Sequence, residues 1–411
     1  MMRLASLLLI CFAASANGQF FAGTARVDVT PPPGLVMGGY SARTQHAKGT
    51  HDPLFVTALV LENADTSVAI LTVDHRYAFS QRVEDEVRRR FGIKNVLISS
   101  SHTHSGPVDV TRQLEDGLIK AAGDAQAARF PAKLAAGEGG LHLGHNRRLV
   151  KPDGSVEMFW RNAERKPTDP VDPAVTVLRV DDATGKTRAI LVNYACHPTV
   201  LGPDNLDYSA DYVAGLRQQL EKDFPGSLTL FALGAAGDIN PYNDKEPVPG
   251  GFAVALETGK ALATEAAKVA RRLKPETPSK FQFAAHRHSF AHRFQPGTTV
   301  EVALGVGLIS LPSAKNAIAL ATLSGEPFVD HQIHFRDRSD CETSLFFGQT
   351  STLGAAGVRY LPTIEAAAQG GYGASTDTTA EAGAGEILVD RAVVQVLKFL
   401  GYLRPVPSLR Y

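Results

Sequence analysis

Short apolar runs, each closed by glycine, proline or asparagine, set the rhythm of this 411-residue chain. Residues 26–30 alternate as a strand does and stop at Pro31-Pro32-Pro33-Gly34. Residues 57–62 and 68–74 read as two strands joined by a turn at 63–65. Ser80 can cap a helix whose Val83, Val87 and Phe91 form an apolar stripe, with Gly92 as its stop. An apolar strand from Asn95 follows, so this stretch predicts a strand–helix–strand unit. A second cycle repeats the logic. Residues 175–180 and 188–195 predict a hairpin, 211–224 a helix with Val213, Leu216 and Leu220 on one side, and 228–233 a strand. A long helix over 252–273, a strand over 317–323 and a last helix over 390–400 complete the reading. The expected fold is α/β: one large domain with a mixed β-sheet core flanked by helices and a metal site at the strand ends.

The runs share a feature at their ends. Asp74, His102 with His104, His197, Asp238 with Asn240, and Glu326 each close an apolar strand. Convergence of strand ends is how α/β folds assemble a site from distant sequence. The most informative of these ends is Ser101-His102-Thr103-His104-Ser105-Gly106-Pro107. In an extended backbone, residues two apart point the same way, so both imidazoles are expected on one face.

Composition narrows the class. Acidic and basic residues balance at 42 each, which leaves no global field for nucleic acid or an anionic membrane. Basic patches with interleaved aromatics are absent from the sequence, a second argument against nucleic-acid binding. Arg3, an apolar stretch over 4–16 and Ala16-Asn17-Gly18 read as a secretory signal over 1–18, with the mature domain over 19–411. No second apolar run is long enough to span a membrane, so an exported, secreted or periplasmic protein is expected. Cys196 and Cys341 remain in that mature chain and are expected as separate buried thiols.

His102, His197 and Glu326 suit a catalytic zinc site, which commonly uses three such ligands and keeps a position open. Any single histidine among the 13 present is more often a hydrogen-bonded structural residue; the His-x-His pair at a strand end reverses that weighting. Other His-x-His architectures are not completed. A barrel amidohydrolase carries the pair after its first strand, and the metallo-β-lactamase pattern continues with Asp-His where Ser105-Gly106-Pro107 stands here. No G-x-S-x-G elbow marks a serine nucleophile. Gly370-Gly371-Tyr372-Gly373 is not placed as a phosphate loop.

These blocks, with Met37-Gly38-Gly39-Tyr40, Gly49-Thr50-His51-Asp52-Pro53-Leu54, Ala195-Cys196-His197-Pro198-Thr199 and Gly371-Tyr372-Gly373-Ala374-Ser375-Thr376, fall in an order that resembles the catalytic domain of the neutral, non-lysosomal ceramidases. The resemblance runs over about residues 21–380. It implies a zinc-dependent amidase that splits ceramide into sphingosine and fatty acid. It further implies zinc ligation by His102, His197, Glu326 and Tyr360, a catalytic role for His104, and contacts from Tyr372 and Arg147 to the reacting amide oxygen. A lipid-like or N-acyl small molecule is the implied partner.

Two departures stand out. The family's G-D-x-S-P block reads Gly237-Asp238-Ile239-Asn240-Pro241, and Asn240 cannot act as a serine nucleophile. The chain stops at Tyr411, and no room is found for the C-terminal β-sandwich domain of full-length family members. Another N-acyl lipid, an ester or a phosphoester as substrate, or a non-catalytic exported binding protein, are the alternative readings.

Overall fold

The strand Phe55–Glu62 is buried along almost its whole length, and its side chains divide by parity. Val56, Ala58 and Val60 face one apolar cluster, whereas Leu59 and Leu61 face another. A strand with hydrophobic packing on both faces carries a near-continuous apolar run, which is what the sequence shows there. The computed structural model describes residues 19–313, 317–355 and 357–403. The leader expected over 1–18 lies outside them.

The nine strands of the main sheet run in the order Leu228–Leu233, Thr187–Tyr194, Ala174–Asp182, Phe130–Gly140, Phe21–Asp28, Phe55–Glu62, Ser67–Val73, Asn95–Ser100 and Thr350–Ser351. Two neighbouring pairs are parallel, Ser67–Val73 with Asn95–Ser100 and Thr187–Tyr194 with Leu228–Leu233; the rest are antiparallel. Each parallel pair is bridged by a helix: α1 (Gln81–Phe91) in the first half, with α2 (Arg112–Ala127) following it, and α3 (Tyr212–Asp223) in the second. The two cycles read from the sequence are thus two related halves of one sheet. Helix α1 begins as predicted, with the Ser80 hydroxyl accepting from Val83 N–H at 3.2 Å. It ends at Gly92, whose φ of 71° is left-handed backbone that glycine adopts freely.

Helices α1 to α3 and the long α4 (Gly250–Arg272) pack on one face of this sheet. Helices α3 and α4 cross almost backbone to backbone: a Cβ on Gly259 would stand 2.1 Å from Tyr212 O. The other face packs on a second sheet, which the sequence reading did not foresee as a separate layer. Its strands run Lys280–Ala291, Thr299–Ser310, Ile318–Leu323 and Thr343–Phe347. Leu59, Leu191 and Leu230 meet Phe281, Ile309 and Phe347 between the sheets. Helix α5 (Val329–Arg338) and helix α7 (Ala384–Leu400) cover the far face of the second sheet, and the short α6 (Ile364–Gln369) lies between them in sequence. The last helix starts six residues earlier than its sequence pattern indicated, at Ala384 instead of 390. The mixed α/β core with flanking helices is as expected, arranged as helices, sheet, sheet and helices. No helix among the described residues is long and apolar enough to cross a membrane. Cys196 and Cys341 are separate thiols, the first buried and the second only partly so.

Candidate metal centre

The strand Asn95–Ser100 ends two residues before His102, and the histidine pair does not continue it. His102 has a φ of 66°, left-handed backbone that is uncommon for a residue with a side chain. The expectation of two imidazoles sharing one face of an extended strand is therefore corrected: the pair stands on a turn. Hydrogen bonds compel that turn. His102 N–H donates to His75 O at 2.9 Å, and the Thr103 hydroxyl donates to Ser209 O at 2.8 Å. Its reward is convergence with the other half of the sheet, where His197 follows the strand Thr187–Tyr194.

Both imidazoles are oriented by main-chain carbonyls. His102 Nδ1 lies 2.7 Å from Arg76 O, and His197 Nδ1 lies 3.0 Å from Ile239 O. A carbonyl only accepts, so each Nδ1 carries the proton and each Nε2 presents a lone pair. The two Nε2 atoms lie 3.4 and 3.5 Å from the same oxygen, Glu326 Oε2. His197 Nε2 and Glu326 Oε2 are buried with no hydrogen-bond partner among the described residues. Two buried acceptors left without a donor, with the His102 lone pair turned to the same oxygen, are costly unless a cation joins them. The donor set of two imidazoles and one carboxylate fits a divalent metal of the zinc type. His104 also stands within reach. Its Nε2 is 3.4 Å from His102 Nε2, and the ligand atoms of His102, His104 and His197 all lie within 4.8 Å of one another.

Glycine lets these pieces close. A Cβ on Gly237 would stand 2.6 Å from Glu326 O, so the segment after the strand Leu228–Leu233 can lie against the short strand Glu326–Pro327. A Cβ on Gly39, at φ 97°, would stand 2.2 Å from the His104 ring. Arg43 fixes that glycine loop by donating to Gly38 O at 2.8 Å and His104 O at 2.7 Å. Tyr40 packs edge-on to His104 with ring centres 4.9 Å apart.

Tyr360 is brought beside Glu326 by the parallel pairing of Glu326–Pro327 with Tyr360–Leu361. Tyr372 packs edge-on to Tyr360, ring centres 5.4 Å apart. The Arg147 guanidinium lies 5.2 to 5.4 Å from the rings of Trp160, Tyr360 and Tyr372. It donates to Asn240 Oδ1 at 3.0 Å and to Gly237 O at 2.6 Å. Asn240 Nδ2 in turn donates to Asp244 Oδ2 at 3.1 Å. Asn240 therefore orients Arg147 and makes no contact in the cavity lining.

Burial sets the charge states. It pushes the His197 imidazole down to about 4 and the His104 imidazole well below its ordinary value, so both are neutral at pH 7. Burial alone would raise Glu326, yet His102 and His197 facing it hold its carboxyl well below the usual range. Burial and the Glu326 charge keep the Tyr360 phenol protonated. For Arg147, burial opposes the charge, and the facing Tyr360 and Glu326 outweigh it.

His102, His104, Glu326, Tyr360 and Tyr372 line one cavity of about 250 Å³, with His197 and Arg147 packed behind them. Two of the predicted strand-end acids are not in it. Asp74 accepts from Phe55 N–H at 2.9 Å and Arg217 at 2.8 Å. Asp238 accepts from Val329 N–H at the start of α5 and from Asn146 Nδ2, both at 2.8 Å. These carboxylates tie elements together. The sequence reading missed Arg76 and Gln349 in the lining. Arg76 follows Asp74 at a strand end, a position that marks it once strand ends are known to converge; Gln349 has no comparable signal.

A family model described as neutral/alkaline non-lysosomal ceramidase, N-terminal, matches residues 20–115. The neutral ceramidase of Pseudomonas aeruginosa is 25% identical over 268 residues, which is 56% of this chain and 38% of that protein. Neutral ceramidase A of Dictyostelium discoideum is 24% identical over 269 residues, 55% of this chain and 36% of its own length. The aligned stretches thus span little more than a third of these relatives. In fold, the crystal structure of the Pseudomonas aeruginosa neutral ceramidase matches with a TM-score of 0.72 at 18% identity, covering 96% of this chain and 76% of that one. A ceramidase solved complexed with C2 matches with a TM-score of 0.74 at 16% identity, covering 96% and 78%. Over residues 20–115 the chain is similar to the neutral/alkaline non-lysosomal ceramidase family, and across nearly its whole length it shares the fold of the neutral ceramidases.

Proposed function

We propose that the protein is a zinc-dependent hydrolase of N-acyl amides, the bond class that its similarity to the neutral ceramidases suggests. One observation carries the reading: His102 Nε2 and His197 Nε2 converge on Glu326 Oε2 beside the cavity lined by Tyr360 and Tyr372, and the last two of these atoms are buried with no hydrogen-bond partner among the described residues. Zinc held by these atoms, with the Tyr360 hydroxyl as the further ligand the family pattern suggests, would polarise the carbonyl and make water nucleophilic near neutral pH.

The residues around that position divide the remaining work. Water's oxygen joins the acyl carbon, the C–N bond breaks, and the amine leaves with a proton that came from water. His104, neutral and unpartnered at Nδ1, suits the transfer of that proton from water to the amine. The Tyr372 phenol can donate to the oxygen that becomes negative. Arg147, stacked on Tyr360 and Tyr372, holds both rings in register and places positive charge behind them. Asn240 is spent on Arg147 and has no nucleophilic atom, so water is the nucleophile in this chain.

The leader read over 1–18 supports export, which amino-terminal sequencing of the mature protein would test through a start near Gln19. The activity is tested with purified, zinc-loaded protein on a panel of N-acylsphingosines, N-acyl amino acids, esters and phosphoesters. Amide turnover that disappears in Glu326→Gln supports the reading. Turnover of esters or phosphoesters alone contradicts it.

A further inference from the structure

Arg76 follows the strand Ser67–Val73 and stands in the catalytic cavity. Its carbonyl orients His102, while its guanidinium makes no hydrogen bond or ion pair with any described residue. The contrast with other partly or fully buried arginines is clear: Arg26 pairs with Glu221, Arg217 with Asp74, Arg336 with Asp172, and Arg43 and Arg147 donate to main-chain carbonyls or an amide. A guanidinium held in a concave site without a partner keeps five donors for something that enters.

The placement of Arg76 is built. A Cβ on Gly38 would stand 3.0 Å from Arg76 Cδ, so the glycine loop is cut back along this side chain. The surroundings set the ligand's chemistry. Tyr77, Gln349, Arg359 and Asp377 share the lining, and Val358 is its single aliphatic side chain. Asp377 is already paired with Arg359, which leaves Arg76 as the free charge. The cavity holds about 250 Å³, below the usual range for sites that enclose a whole lipid-sized ligand. A group reaching both Arg76 and the metal ligands is therefore only a few bonds from the scissile carbon.

We infer that Arg76 recognises a carboxylate close to the scissile amide, so that the preferred substrates are N-acyl amino acids instead of neutral N-acyl amides. The inference rests on the amidase reading for turnover, but its binding component stands apart from it. An arginine–carboxylate pair in such a site can form two parallel hydrogen bonds, which gives geometry as well as affinity.

The test compares N-dodecanoylglycine with N-dodecanoylethanolamine, which replaces the carboxylate by a hydroxymethyl group. It uses the full chain loaded with zinc, as wild type, Arg76→Met and Arg76→Lys. The wild type should favour the glycine conjugate in kcat/KM, and Arg76→Met should lower that preference roughly ten- to hundredfold. Arg76→Lys should keep part of it, since the charge remains while the planar fork is lost. Calorimetric binding of the same two ligands should show the same charge preference and the same loss. Equal kcat/KM for both ligands in the wild type, or an equal fall for both in Arg76→Met, overturns the inference and leaves Arg76 as a support for His102. Charge-selective binding with no turnover of either amide sustains carboxylate recognition by Arg76 and sinks the amidase reading together with the substrate preference that rests on it.

Discussion

Replacing Asn240 separates the two roles that its position suggests. The side chain is buried between Arg147, which it accepts from at 3.0 Å, and Asp244, which it donates to at 3.1 Å. Asp244 is itself buried and paired with Lys245. Lys245, Asp244, Asn240 and Arg147 thus form a chain in which the amide offers a donor to the carboxylate and an acceptor to the guanidinium. Asn240→Ala leaves both charged groups one hydrogen bond short. Bonds to charged groups contribute about 1.5–3 kcal/mol each, so release of Arg147 from its place behind Tyr360 and Tyr372 should lower kcat/KM roughly ten- to hundredfold. Asn240→Ser keeps a group able to donate and accept, on a shorter stem, and should fall between alanine and wild type. Asn240→Asp places a carboxylate against Asp244 and should lose stability as well as rate. The assay is steady-state hydrolysis of the best amide from the panel, with thermal melting to check folding. A tenfold gain in Asn240→Ser would refute the reasoning, because it would restore a serine nucleophile that the account says is not used. Wild-type kinetics in Asn240→Ala would refute it equally.

Other expectations follow from single contacts. Tyr372→Phe should lower kcat by about a hundredfold or more with little change in KM, as removal of one oxyanion donor typically does; an effect confined to KM would place Tyr372 in ground-state binding. Gly259→Ala drives a methyl to 2.1 Å from Tyr212 O, a main-chain atom of α3, and should cost about 3 kcal/mol of stability in denaturant unfolding; an unchanged midpoint would show that the helices separate freely. Burial raises the Asp211 carboxyl to about 7 in the folded chain, from an ordinary value of 3.8. Its contribution to stability is complete below about 4 and is lost as pH rises through about 7. Melting temperatures measured from pH 5 to pH 8 should therefore carry a downward slope with rising pH that flattens in Asp211→Asn; identical slopes would contradict that assignment.

The elements legible in the sequence were those whose apolar pattern depends on near neighbours. Helix α1 shows its cap, stripe and stop within residues 80–92, and the hairpin Ala174–Asp182 with Thr187–Tyr194 shows its turn. The second sheet was harder. The strand Lys280–Ala291 carries His286, Arg287 and His288 and has few fully buried positions, so it offers no apolar run. Its neighbour Thr299–Ser310 contains Gly305 and Gly307, which weaken a strand reading. At Gly305 a Cβ would meet the Thr322 hydroxyl at 2.6 Å and the Phe283 ring at 2.9 Å, both from adjoining strands. A long-range contact chose the residue, and a local pattern cannot show it.

The site divides in the same way. His102, His104, His197 and Glu326 were legible because each closes an apolar strand before a glycine or proline turn. The left-handed turn at His102 was not, since the carbonyls of His75 and Arg76 that shape it come from a different strand end. Arg147 and Tyr372 came from family resemblance, and the structure brings them together at the Tyr360 ring, which Tyr372 meets edge-on and the Arg147 guanidinium faces. Asp238 looked like chemistry at a strand end, yet it serves the start of α5 and Asn146. Strand-end position selects polar residues without telling a ligand from a brace.

The central claim is that His102, His197 and Glu326 hold one catalytic metal ion. Elemental analysis of purified protein, as wild type and as His102→Ala, His197→Ala and Glu326→Gln, tests it most directly, with circular dichroism to confirm folding. The account predicts zinc at a stoichiometry close to one per wild-type chain, and its loss from each folded alanine variant with weakened retention in Glu326→Gln. A wild-type protein that takes up no metal on reconstitution, or a folded His102→Ala or His197→Ala that keeps full zinc content, would contradict it.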